Sequence, residues 1–95
     1  MAVLVIFRAS GDPADLLSRN ERTLAGATAL ASARPEAHFC VPTESGIMIV
    51  DVWNSRAELQ RAVIDNKAFQ AKWDEAGWPE ETVEIFEVHN SGWPQ

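Results

Sequence analysis

A single α+β domain built in the order β-α-β-β-α-β is what this sequence predicts, and three observations carry the prediction. Four short apolar runs, at residues 2–7, 37–41, 47–53 and 82–89, have the length and composition of strands. The two longer intervals between runs carry apolar residues at helical spacing. Only a short loop separates the middle runs, so those two form a hairpin. The 95 residues suffice for one domain, 1–95, and no more.

Each element has its own local reason. Residues 2–7, AVLVIF, are continuously apolar, which predicts a strand covered on both faces. In Ser10-Gly11-Asp12-Pro13, Asp12 suits an N-cap and Pro13 the first helical position. Leu16, Leu17, Leu24, Ala27 and Ala31 follow on one face, predicting a helix over 13–33 that Pro35 stops. AHFCV at 37–41 and IMIVDVW at 47–53 are the hairpin strands. Ser55-Arg56-Ala57-Glu58 then has the capping-box pattern. Leu59, Ala62 and Val63 share one face of the second helical region. Asp65-Asn66 is a candidate break, and Phe69 and Trp73 carry the apolar stripe beyond it. Gly77-Trp78-Pro79 ends the region, TVEIFEVH at 82–89 is the fourth strand, and a tail with a second Gly-Trp-Pro follows. The order is that of the ferredoxin-like split fold. It implies one antiparallel four-stranded sheet, ordered 4-1-3-2, with both helices on one face.

Composition excludes several functions. The formal charge of −6, with no basic cluster, argues against nucleic acid and anionic membranes as partners. Nothing approaches a membrane-spanning run, and the N-terminal apolar stretch is too short for a signal peptide. Cys40 is the single cysteine, so no internal disulfide can form, and a cytoplasmic location is expected. No Gly-rich phosphate loop, Walker lysine motif or G-x-G-x-x-G stretch is present, so no cofactor is expected.

Alternation sorts the strand residues into faces. His38, Cys40, Ile49, Asp51, Trp53, Glu87 and His89 form one set. Phe39, Val41, Met48, Val50, Val52, Phe86 and Val88 form the other, purely apolar one. The purely apolar set is expected beneath the helices, leaving the first set on the open face of the sheet. An open face with that much apolar area predicts a second subunit packed on it, hence a homodimer. A short loop sets His38 opposite Asp51 and Cys40 opposite Ile49. Asp51 would orient the His38 ring and, beside it, have a depressed pKa. A metal is not expected, because strands 2 and 4 lie about 14 Å apart across the sheet and keep His38 from His89.

Several of these features together resemble a known family. They are the element order, the strand IVDVW before a Ser-x-x-Glu helix, Phe69 sixteen residues after Trp53, and the closing EIFEVHN. They are similar to the dimeric α+β barrel proteins, and within them to the antibiotic-biosynthesis-monooxygenase-like group, including small actinobacterial-type members of unknown function. The resemblance implies two subunits packed sheet to sheet. It also implies a mostly apolar cavity, either between each sheet and its helices or between the sheets. Activities in the family include cofactor-free oxygenation of polycyclic phenols and haem breakdown. The family's usual histidine, in the helix after the Trp strand, falls here on Ala62 and Val63 and is not carried over.

The predicted site is therefore His38 and Asp51 as a proton-transfer pair. Phe7, Cys40, Ile49, Trp53, Trp73, Glu87 and His89 would line the small-molecule cavity, with Cys40 an inert thiol. Trp78 and Trp93 would clasp the partner or lid the pocket. Three functions fit this reading. The first is a cofactor-independent monooxygenase-like or isomerase/cyclase-type enzyme. The others are a non-catalytic ligand-binding module and a structural dimer module.

Overall fold

The computed structural model describes residues 1–89, and the elements follow the predicted order. β1 is Val3–Ser10, and α1, Pro13–Ala27, runs into a short 3-10 turn at Thr28–Leu30. The hairpin is β2, Ala37–Pro42, and β3, Gly46–Trp53. α2, Arg56–Leu59, passes through a π turn at Gln60–Ile64 before α3, Lys67–Asp74, and β4 is Thr82–Glu87. The sheet runs β2-β3-β1-β4, the predicted order read from the other edge, and every pairing is antiparallel. The second Gly-Trp-Pro, with Trp93, lies outside the described residues.

The helix starts are where capping chemistry puts them. The Asp12 carboxylate accepts from the Asp15 amide at 3.0 Å, and Ser55 Oγ from the Glu58 amide at 3.1 Å. α1 ends earlier than the predicted 33. Gly26 propagates a helix weakly, and Thr28 Oγ1 donates back to the Leu24 carbonyl at 2.7 Å, so the chain tightens into the 3-10 turn. Asp65-Asn66 does break the second helical region. The Asp65 amide reaches back to Gln60 O at 2.7 Å, the spacing of a π turn. Asn66 then caps α3 by accepting from the Phe69 amide at 3.0 Å. The Asn66 side-chain Nδ2 also donates to Leu30 O at 2.8 Å and Ala62 O at 3.1 Å, tying the 3-10 turn after α1 to the start of α3.

Within the strands the two face sets keep their members, but the helices cover the opposite set from the one expected. Val3, Phe7 and Ala9 of β1 and Ile47, Ile49 and Trp53 of β3 are buried beneath the helices, and register places Asp51 among them. Phe39, Val41 and Phe86, expected there, are exposed on the open face at 58%, 40% and 46%. Apolarity alone could not decide the question, because both faces are rich in it. The helices chose the face with the bulkier partners, where Phe7 and Trp53 meet Trp73, Leu59 and Ala62. The His38–Asp51 pair accordingly lies on the helix-covered side of the sheet, with His38 still partly open to solvent.

The core has two parts. One gathers Phe7, Ala9, Leu16, Ile47 and Ile49, with Trp73 and Trp78 packed against it. The other gathers Val3, Trp53, Leu59 and Ala62, with Val5, Val63 and Ile85. Asp51 stands between Ile49 of the first and Trp53 of the second, at the seam.

Two glycines make contrasting predictions. A Cβ on Gly46 would lie 1.9 Å from the Ala9 carbonyl oxygen, a backbone atom that cannot move aside. Gly46→Ala should therefore lower unfolding free energy by about 3 kcal/mol, the upper end for overpacking, read from denaturant midpoints. A Cβ on Gly26 meets only the flexible Lys72 side chain, at 2.6 Å from Cε. Gly26→Ala should be neutral or stabilise by up to about 1 kcal/mol.

Candidate functional site

A cavity of about 770 Å³ lies between the sheet and the helical layer. All four strands contribute to its floor, through His38 of β2, Ile49, Asp51 and Trp53 of β3, Val5 and Phe7 of β1, and Val83 and Ile85 of β4. Its roof is Leu24 and Thr28, then Leu59 and Val63, then Phe69 and Trp73. The size suits a small organic molecule, and most of the wall is aliphatic or aromatic. The aromatic part is ordered by mutual packing. Phe7 meets Trp73 edge-on with centroids 5.2 Å apart, and Phe69 stacks nearly parallel to Trp73 at 6.2 Å.

His38 and Asp51 are direct cross-strand partners, as the register from sequence requires. His38 Nδ1 lies 2.5 Å from Asp51 Oδ1. The Asp51 side chain is 24% exposed and that of His38 35%, so the carboxylate is the deeper of the two. Burial pushes the Asp51 pKa above its ordinary value, and the hydrogen bond and charge of His38 only partly offset this. The expected depression of Asp51 is thus reversed. Desolvation outweighs the pairing, because the carboxylate sits in the seam of an apolar core.

The other predicted residues divide. Phe7, Ile49, Trp53 and Trp73 line the cavity with the pair. Cys40 faces the helices but packs on the Phe7 cluster and is not part of the cavity wall. Burial, and secondarily Glu21, push its thiol pKa up, which makes it less reactive. Glu87 and His89 do not reach the cavity. Glu87 ends β4 opposite Val3, His89 lies beyond the strand, and both are exposed. β4 stops at Glu87, two residues short of the predicted end, so alternation no longer fixes the direction of His89. Among the described residues no group of three His, Cys, Asp or Glu side chains could hold a metal ion.

Sequence reasoning missed several wall residues. Val5 and Ile85 sit in one row with Asp51 across the sheet, and β1 pairing could have found them. Arg34 and Glu81 lie in connecting segments and Asp74 is the last residue of α3, so strand alternation marks none of them. Asn20 of α1 is only 4% exposed, and its Oδ1 has no partner among the described residues. A second hollow of about 380 Å³, lined by Arg19, Arg22, Lys72 and Glu75, holds none of the predicted site.

Comparison with known proteins bears on the fold. No protein-family model matches the chain, and no curated protein matches it. Solved structures do. The cofactor-independent oxygenase SnoaB from Streptomyces nogalater superposes with a TM-score of 0.71 at 17% identity, over 95% of both chains. Rv0793 from Mycobacterium tuberculosis gives 0.70 at 13% identity, over 98% of this chain and all (100%) of that one. NE2512 from Nitrosomonas europaea, a protein of unknown function, gives 0.63 at 19%, over 99% of this chain and 95% of that one. These likenesses cover nearly the whole chain, and the ferredoxin-like α+β fold read from the sequence is the fold they share. No described helix is long and apolar enough to cross a membrane.

The raised pKa of Asp51 has a definite pH signature. Between the unfolded value near 3.8 and the higher folded value, the folded state holds more proton than the unfolded one. The Asp51 contribution is therefore fully present below about 3.8 and fades as pH rises through the folded pKa. Measured against Asp51→Asn in urea melts from pH 3.5 upward, the wild-type chain should lose relative stability as pH rises. A relative gain over the same range would show that pairing with His38 dominates after all.

Proposed function

We propose that the chain binds a flat, mostly apolar small molecule beneath its helices and that His38 and Asp51 move a proton on it. The observation that carries this reading is the placement of a hydrogen-bonded imidazole–carboxylate pair in the wall of a largely apolar cavity. With Asp51 accepting from Nδ1–H, the neutral ring keeps its basic lone pair on Nε2. Nε2 is then the general base toward a phenolic or enolic hydroxyl, and Asp51 steadies the imidazolium that forms. The mostly apolar walls reduce the water that competes for the anion produced.

Likeness of fold to a cofactor-independent oxygenase supports one course for that anion. An electron-rich phenolate could be oxidised by dioxygen directly. A methylene carbon of the substrate would become a carbonyl, with one oxygen atom in the product and the other leaving as water with the two hydrogens. The same proton transfer without dioxygen would serve an isomerisation or cyclisation. The reading also includes a homodimer packed through the open sheet face, where Phe39, Val41 and Phe86 are exposed.

Two measurements test this. A nitro-substituted naphthol, whose phenolate absorbs in the visible, should quench tryptophan emission and show an increased phenolate fraction when bound. His38→Ala should keep the quench and lose the phenolate increase. No quench would end the binding reading, and quench without deprotonation would end the catalytic one. With an oxidisable tricyclic hydroxyanthracenone, oxygen uptake should fall by about 100-fold or more in His38→Ala. For the dimer, light scattering at micromolar concentration should give twice the chain mass, and a stable monomer would contradict it.

A further inference from the structure

The two ends of the cavity differ in charge: Arg34 stands with the His38–Asp51 pair at one, and two exposed carboxylates stand at the other. Arg34 lines it just before β2, on the side of His38 and Asp51. Asp74, at the end of α3, and Glu81, immediately before β4, line it on the other side. β2 and β4 are the two edges of the sheet, so these ends are separated by three strand spacings, about 14 Å. They are also offset along the strands. The row Ala37, Val52, Leu4, Phe86 crosses the sheet near the start of β2, whereas Glu81 lies beyond Thr82, which pairs with Arg8 toward the other end of β1. Among the described residues none of Arg34, Asp74 and Glu81 is engaged in an ion pair.

The wall between the two ends is apolar, so it concentrates the field of the groups at its rim. Asp74 adjoins Trp73, which packs on Phe7, and Phe7 is the partner of Val83 just inside Glu81. A ring system lying against Phe7 and Trp73 would therefore present its substituent to two carboxylates. Charge at this end has one sign, and the hydroxyl-handling pair is at the other.

We propose that the cavity selects flat ligands bearing a basic nitrogen, held at the Asp74–Glu81 end while the ligand's acidic hydroxyl meets His38 and Asp51. This rests on the cavity being a ligand site, and the test separates the two claims. Three probes share one flat tricyclic shape at pH 7: 9-aminoacridine is a cation, 9-anthracenemethanol is neutral, and 9-anthracenecarboxylate is an anion. Dissociation constants come from calorimetry and from tryptophan quenching. The cation should bind about tenfold tighter than the neutral probe, with the anion weaker than both. The Asp74→Asn/Glu81→Gln double variant should bring cation and neutral probes to similar affinity. Glu44→Gln, in the distant β2–β3 turn, should leave the preference intact, which separates a local effect from the net charge of the whole chain. Equal affinities in the wild-type protein, or a preference that survives the double variant, would overturn the charge selection alone. Failure of the neutral probe to bind as well would overturn the ligand site itself.

Discussion

The pairing of β1 with β3 is the constraint on which the rest depends. Eight consecutive positions are in register, from Val3 opposite Trp53 to Ser10 opposite Gly46. That ladder lines up Val3, Val5, Phe7 and Ala9 with Trp53, Asp51, Ile49 and Ile47 on one face. A slip by one residue would send the whole set to the other side of the sheet. Gly46 closes the register at one end, because the Ala9 backbone comes too near for any side chain there. The edge strands add to this frame. His38 meets Asp51 because β2 follows the register of β3, and Ile85 meets Val5 because β4 follows β1.

One polar residue in this central ladder divides the core. Ile49 and Trp53 each anchor a packed cluster, and the carboxylate between them cannot be covered by aliphatic side chains without a large cost. The helical layer follows the same division. α1 breaks off at Ala27, and the second helical region is interrupted by a π turn and restarted by Asn66. Asn66 also bonds to Leu30 O, and Gln70 donates to Val63 O at 2.9 Å, so carbonyls in both interruptions have side-chain partners. The irregular roof over Asp51 is therefore a stable arrangement, and the cavity beneath it is a consequence of fixed hydrogen bonds.

The electrostatics of Asp51 are set by burial more than by pairing. A hydrogen bond to histidine tends to lower a carboxylate pKa, yet burial wins at Asp51. Arg8 and Glu84, on the open face of the sheet, are a useful contrast. They pair where both side chains are about half exposed, at 49% and 48%, and an ion pair in that setting contributes little to stability.

Much of this protein was legible in the sequence because it rests on local rules. Asp12-Pro13 and Ser55-x-x-Glu58 announce helix starts by satisfying exposed amides, and Asp65-Asn66 announces a break. Strand-length apolar runs fixed the element order, and a short loop fixed His38 opposite Asp51. What the sequence by itself could not decide was the side of the sheet on which the helices lie. Alternation says which residues share a face, but Met48, Val50 and Val52 are as apolar as Ile47, Ile49 and Trp53. Only the fit of Trp53 against Leu59 and Ala62, and of Phe7 against Trp73, selects between them. The sign of the Asp51 shift was hidden for the same reason, since pairing can be read from register but desolvation depends on what the helices cover. Arg34 joins Asp74 and Glu81 at one cavity only through the tertiary fold, because it lies some forty residues before them and strand alternation marks none of the three.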